Sequence, residues 1–187
     1  ASILLHRYYC HKQFHVPVWF EVIGLAMLMI AVIRSPIVWI ASHRMHHVHS
    51  DGPEDPHSWK HVGYWKVLLT TWDIPRIPIK YAKDLFANPL LVFCHHHWFK
   101  IVAVVWIISL LISFKFFVAF ALMPFIHAKL GFGLLNTIGH REEGGSNVPW
   151  LNLLIAGEGY HREHHNNFRR IRLHRWDTGG WIVQQLI

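Results

Sequence analysis

Two stretches of the chain carry imidazoles at the same spacing, H-x-x-H-H: His43, His46 and His47, and again His161, His164 and His165. On an α-helix, positions i, i+3 and i+4 share one face. Each stretch would therefore project three nitrogen donors to one side of a rigid element, ready for a metal ion. Two further elements belong with them. His6 and His11 in HRYYCH stand five apart, a spacing that shares a face only loosely. Asn136 and His140 in NTIGH form an i, i+4 polar pair at the end of an apolar run. The set holds nine histidines and one amide. A structural zinc closes with four ligands, so nine donors fit two ions that each keep an open position. Imidazole suits zinc, copper, iron and nickel alike. Two open-site ions beside apolar sequence suggest oxygen chemistry, and therefore iron. The other nine histidines (His15, His49, His57, His61, His95, His96, His97, His127 and His174) read as interfacial polar residues or supporting hydrogen-bond partners.

The elements that must carry these donors are apolar. Hydrophobic residues make up 52% of the 187 and charged residues 16%, with 10 Trp and 12 Phe, and the mean hydropathy is +0.23. That excludes a disordered chain. Two cysteines, Cys10 and Cys94, cannot build a disulfide scaffold, which indicates a reducing compartment and metal chemistry without thiolates. The formal charge of +7 suits an anionic lipid surface or an acidic partner. The basic residues are dispersed and no nucleic-acid motif occurs, so no nucleic-acid partner is expected.

Topology follows from gathering all four elements on one side of a membrane, which requires an even number of crossings between them. Only 31 residues separate His11 from His43, whereas two crossings need about 40. The apolar segment 16–41, which contains Glu21, Arg34 and Pro36, is thus expected to lie at the interface or dip in and return, since charge at the bilayer centre is costly. Residues 59–99 mix Trp, Lys and Pro with short apolar runs, and suit a segment lying on the bilayer surface. The 39 residues between Lys100 and His140 suit two helices with a turn near Ser113, Phe114 and Lys115. A single domain is expected, cut at both ends, because the chain begins at Ala1 inside an apolar run.

HRYYCH, HRMHH and GEGYHREHH, with NTIGH upstream of the last, resemble the histidine boxes of the membrane-bound fatty-acid desaturases. The Δ9-type acyl-CoA or acyl-lipid branch is the most similar, and DGPEDPHS and SNVPWLNLLIAGEGYH resemble it too. The resemblance covers essentially the whole chain. It implies an all-α integral membrane protein with a transmembrane hairpin, an interfacial helix and a cytoplasmic cap holding a di-iron centre. A first transmembrane hairpin would precede Ala1. The implied ligands are His6, His11, His43, His46, His47, His140, His161, His164 and His165, with Asn136 acting through a water. No catalytic residue beyond the metal centre is implied. The implied activity places a cis double bond in a long-chain acyl group on CoA or a lipid. It consumes O2 and takes electrons from a donor such as ferredoxin or cytochrome b5. Two features depart from the family: the third box reads His-Arg-Glu-His-His, and the tail NNFRRIRLHRWDTGGWIVQQL follows the pattern only loosely.

Carboxylates should orient the imidazoles by accepting their second N–H; Asp51, Asp55, Glu158 and Glu163 are the candidates. Trp19, Trp39, Trp72 and Trp150 could line an acyl tunnel or anchor at the interface. Lys60, Lys66, Arg169, Arg170 and Arg172 could receive an acidic donor or serve as positive-inside charge. Two other functions compete. One is a di-iron lipid or alkane hydroxylase. The other is a non-catalytic metal transporter or buffer, which predicts donors strung along the crossing helices.

Overall fold

The computed structural model describes residues 1–31 and 34–187. It is helical, with no strand among the described residues beyond an isolated bridge between Asn147 and Tyr160. A π-helix, Ser2–Cys10, opens the chain. The α-helices follow as α1 (Val18–Ala31), α2 (Pro36–His49), α3 (Trp59–Val62), α4 (Tyr64–Leu68), α5 (Pro89–Ile112), α6 (Phe114–Phe117), α7 (Met123–Thr137), α8 (Asn152–Ile155), α9 (His161–Asn166) and α10 (Thr178–Leu186).

Two helical rods are long and apolar enough to cross a membrane: α5, and the 27-residue run Phe114–His140 that contains α6, a π turn at Val118–Leu122, α7 and a final 3-10 turn. They break at Ser113, where the side chain caps the second rod by accepting from Phe116 N at 3.0 Å. The rods turn back on each other there, with Trp106 edge-on to both Phe117 and Phe125 at 5.5 and 5.4 Å, and α1 packs against both. This is the hairpin expected from the spacing. Its first arm starts earlier than the composition suggested. Residues 89–99 are the opening turns of α5 rather than a surface segment, because Asn88 accepts from Leu91 N at 3.0 Å and Pro89 occupies the first turn.

The apolar segment 16–41 becomes α1 and α2, which meet at 88°; its residues 32 and 33 lie outside the described residues. Glu21 is buried there as a bridging acceptor, taking hydrogen bonds from the Tyr8 hydroxyl and from Asn88 Nδ2 at 3.0 Å. Both partners matter, because a buried polar group without one costs about 1–3 kcal/mol. The core beneath the histidines is built from Leu4 and Leu5 of the π-helix, Leu25 of α1, Ile37 and Ile40 of α2, and Leu91 of α5. The surface segment after α2 forms α3, α4 and short 3-10 turns, and presents Trp65 and Leu69 outward. It is pressed against the hairpin. A Cβ on Gly133 of α7 would stand 1.9 Å from the Leu68 carbonyl oxygen, so only glycine permits that approach.

Candidate metal centre

The four elements converge, and they divide their imidazoles into two groups. His6, His11, His43, His47 and His164 form one, and His46, His140, His161 and His165 the other. In the first, Nε2 of His164 lies 3.0 Å from Nε2 of His6 and 3.0 Å from that of His47, which is 3.0 Å from that of His43. In the second, His165 Nε2 lies 3.3 Å from His46 Nε2 and 3.1 Å from His161 Nε2, which is 2.8 Å from His140 Nε2. The groups abut, with the rings of His47 and His165 stacked at 4.6 Å.

Neither H-x-x-H-H stretch serves a single group, contrary to the one-face expectation. On α2, His43 and His47 enter the first group and His46 the second. On α9, His161 and His165 enter the second and His164 the first. The i, i+4 members stay together, and the i+3 member points across to the neighbouring group. The loose five-residue pair is also resolved. The opening helix is of the π type, so the His11 N–H bonds to the His6 carbonyl at 3.0 Å and brings the two rings to 4.7 Å. Such helices are rare and cluster at functional sites.

Carboxylates fix which nitrogen faces inward. Glu158 Oε1 accepts from His6 Nδ1 at 3.0 Å, Asp55 Oδ2 from His46 Nδ1 at 2.8 Å and Asp51 Oδ1 from His140 Nδ1 at 3.2 Å. With the proton held on Nδ1, the Nε2 lone pair of each of these three rings points at its group. Lone pairs facing one another at about 3 Å repel unless a proton or a metal cation lies between them, and several Nε2 atoms meeting at one point favour the cation. Metal–imidazole distances of about 2.1 Å place neighbouring donor atoms about 3 Å apart, which is the spacing seen here. The residues therefore fit two metal ions, one to each group.

Burial disfavours the charged form of seven donors, His11, His43, His46, His47, His161, His164 and His165. It pulls His11 down to about 2 and His165 to about 3, and takes His161 and His164 well below the imidazole range. The orienting carboxylates differ. Burial pushes Asp55 up to about 6, against the pull of the His57 and Asp51 backbone N–H groups. Burial also pushes Glu158 up, but the charges of His6 and Arg7 outweigh it and hold it at about 2. Asp51 stays below the usual carboxylate range because its hydrogen bond and charge interaction with His140 outweigh its burial. Glu163 lies elsewhere, with its carboxylate 3.5 Å from Asn147 Nδ2 at a half-buried position. Asn136 is buried, its Nδ2 donating to the Phe132 carbonyl at 2.8 Å.

Two features escaped the sequence reading. His57, read from the sequence only as an interfacial or supporting polar residue, is buried with its ring 4.3 Å from that of His46 and its Nδ1 3.7 Å from Asp55 Oδ1, and neither ring nitrogen is hydrogen-bonded. The only cue was its place two residues after Asp55. Arg7 Nη2 donates to both carboxylate oxygens of Asp177, at 3.0 and 3.1 Å, and the two residues are 1% and 0% exposed. Arg7 also donates to the Ile171 carbonyl and lies 3.6 Å from Glu158. This pair ties the π-helix to the C-terminal segment across 170 residues, and no local pattern announces it.

A cavity of about 300 Å³ opens beside the donors. Apolar side chains including Trp39, Phe132, Leu135 and Ile155 line it, and His6, His43, His161 and Asn136 reach into it. Of the four tryptophans considered, Trp39 lines this cavity. Trp72 is buried against Phe132, its ring centroid 5.9 Å away, while Trp19 and Trp150 are exposed.

A family model described as fatty acid desaturase matches residues 1–176. The chain is 27% identical to an sn-1 stearoyl-lipid 9-desaturase of Anabaena variabilis, over 97% of this chain and 72% of the relative. It is 30% identical to an sn-1 stearoyl-lipid 9-desaturase of Synechocystis, over 86% of this chain and 54% of the relative. A Delta-9 acyl-lipid desaturase 2 of Arabidopsis thaliana is 26% identical, over 88% of this chain and 58% of the relative. The chain thus spans little more than half the length of the last two.

Proposed function

This chain belongs to the fatty acid desaturase family of membrane oxidoreductases, and from that premise we propose that it is the di-iron core of an O2-dependent desaturase acting on a long-chain acyl group, Δ9 in position and carried on a lipid. The observation that carries the reading is the convergence of nine imidazoles from four distant segments into two abutting groups, with an apolar cavity opening onto both. The relatives named as acyl-lipid 9-desaturases support the substrate class.

Iron held by the two groups, with Asn136 contributing through a water, would supply the oxidising chemistry. An acyl –CH2–CH2– unit, O2, two electrons and two protons give –CH=CH– and two waters. The chain's own residues set the conditions for this. Glu158, Asp55 and Asp51 keep their partner imidazoles in the Nδ1–H form, and no thiolate stands among the donors. Trp39, stacked on His43 at 5.1 Å, and Phe132 wall the cavity so that a methylene chain displaces water as it approaches the imidazoles. The depth of that cavity below His43 and His161 would select which carbons are reached. We place the donor groups at the cytoplasmic face, in keeping with the surplus of Lys and Arg.

A transporter or buffer would carry its donors along the crossing helices, whereas here they cluster beyond the apolar rods at helix ends. A hydroxylase would use the same donors and differ only in product. The test is expression of the full-length parent in a desaturase-deficient host, with acyl profiling and a His164→Ala control. A new cis alkene lost in the control is the expected result. Hydroxylated chains with no alkene, or protein that holds zinc and no iron, would overturn the reading.

A further inference from the structure

One wall of the acyl cavity has a regular repeat. His127, Ala128, Gly131, Phe132, Leu135 and Asn136 of α7 line it, recurring every three or four residues along one face of the helix. Asn136 marks the end of this stripe that shares the cavity with His43 and His161. His127 stands nine residues earlier, which at about 1.5 Å of rise per residue is about 13 Å away. Between the two the stripe is apolar, with small residues at Ala128 and Gly131. Ile155 closes over it: a Cβ on Gly131 would stand 2.6 Å from Ile155 Cγ2.

The polar side chains of this cavity are unevenly placed. Ser2, His6, His43, Glu158 and His161 gather at the donor end, where Ser2 and His6 both bond to Glu158. His127 is exposed and stands apart from them, at the opposite end of the stripe. Two residues on, the Lys129 ammonium donates to the Thr70 carbonyl at 3.3 Å, just after the turns that present Trp65 and Leu69 outward. A long cationic side chain reaching for polar atoms beside exposed aromatic residues marks the polar boundary of a bilayer. His127 thus sits on a membrane-spanning rod near the level of lipid headgroups and their ester linkages.

We propose that His127 anchors the substrate by donating a hydrogen bond to the carbonyl of its lipid ester, and that the α7 stripe from His127 to Asn136 is the ruler that sets which carbons are oxidised. An acyl chain carries its polar atoms at one end, so a polar group far from the donors orients it with the carbonyl outward. C–C bonds of about 1.5 Å in an extended zigzag advance the chain by about 1.25 Å each. Carbon 9 then lies about 10 Å from the carbonyl carbon, and the hydrogen bond adds about 3 Å. That brings carbons 9 and 10 level with Asn136, whereas carbon 6 or carbon 12 would miss by about 4 Å. A CoA thioester does not suit this anchor, because its charged nucleotide would have to enter the spanning region. The inference rests on the desaturase reading for what happens at those carbons, while the register of the chain is a separate observable.

The experiment uses the full-length parent in vesicles containing a 1-stearoyl phosphatidylcholine that carries a photoreactive diazirine at carbon 3 or at carbon 9. Peptide mapping of the crosslinks reads the register without turnover. In the wild type, the carbon-3 probe is expected to label α7 near His127 and Ala128, and the carbon-9 probe near Leu135 and Asn136. His127→Leu should scatter both labels along the stripe, whereas His127→Gln, which still donates, should keep their order. In a desaturase-deficient host, His127→Leu should lower the preference for carbon 9 over neighbouring positions roughly fivefold, the worth of one hydrogen bond. His127→Gln should keep a single position. The same crosslink register in His127→Leu as in the wild type overturns the proposal, and so does an unchanged product position. Labelling by the same diazirine chain on CoA and not on the lipid overturns it too. An ordered register with hydroxylated chains and no alkene would defeat the desaturase reading and leave the anchor in place.

Discussion

The two H-x-x-H-H stretches are alike in sequence and unlike in what holds them. The first lies on α2, a 14-residue helix with Ser35 before it and Pro36 in its first turn. Its earlier turns bury Ile37, Ile40 and Ala41 in the core, so His43, His46 and His47 are placed by a packed cylinder. The second lies on α9, six residues long. A helix that short is unstable alone, and α9 is held by what surrounds it. Asn147 Oδ1 accepts from Arg162 N at 3.1 Å, Arg162 Nε donates to the Gly145 carbonyl at 3.0 Å, and Asn152 Oδ1 accepts from Gly159 N at 2.9 Å. Just before it, Ala156 and Gly157 both take positive φ, and Glu158 joins the Arg7–Asp177 cluster. The same donor pattern is therefore preassembled in one place and assembled by tertiary contact in the other. The two should fail differently.

The largest difference is expected from Asp177→Ala. It leaves the buried Arg7 guanidinium without its partner, which costs about 3–5 kcal/mol, and frees the segment that carries α9. Denaturant titration of the metal-free protein in detergent should show that loss, and metal analysis should show depletion. A stability change under 1 kcal/mol would mean that α9 is held some other way. Gly157→Ala comes next. A Cβ there would stand 2.0 Å from Asp177 Oδ1, at φ +96°, and strain of this kind costs about 1–3 kcal/mol. The matching perturbation of α2, Ala41→Gly, should cost only about 1 kcal/mol. Equal melting shifts for the two would erase the contrast.

The carboxylates sharpen the comparison further. His46 on α2 has Asp55 behind it, whereas the α9 imidazoles have no carboxylate on Nδ1 among the described residues. Asp55→Asn is expected to weaken metal binding about 10- to 100-fold, and Glu163→Gln to leave it within about twofold. Competition with a coloured chelator reads both. The smallest effect at neutral pH is that of acid on the metal-free chain. His11 and His165 are held far below an unfolded value of about 6.5, so the unfolded chain takes up protons first. Stability should be full above about pH 6.5 and fall as pH drops toward 3. Asp55, pushed up to about 6, works in the opposite sense as pH falls below 6. A denaturation midpoint flat between pH 7 and 4 would contradict the burial of neutral imidazoles.

Local spacing made much of this protein legible. The i, i+3, i+4 histidines, the apolar hairpin broken at Ser113, and the carboxylates Asp51, Asp55 and Glu158 beside imidazoles all follow from short-range patterns, because helical periodicity and capping act within a few residues. Tertiary structure decided which group each imidazole joins. That depends on how α2 and α9, more than a hundred residues apart, cross each other, and an i+3 donor cannot announce which neighbour it will face. It also decided that the opening helix is π and that α5 starts at Pro89. The burial of Arg7 against Asp177 and of His57 against His46 belongs here too. These are contacts between segments, where the free energy comes from groups removed from water together, and no stretch of sequence read by itself contains both partners.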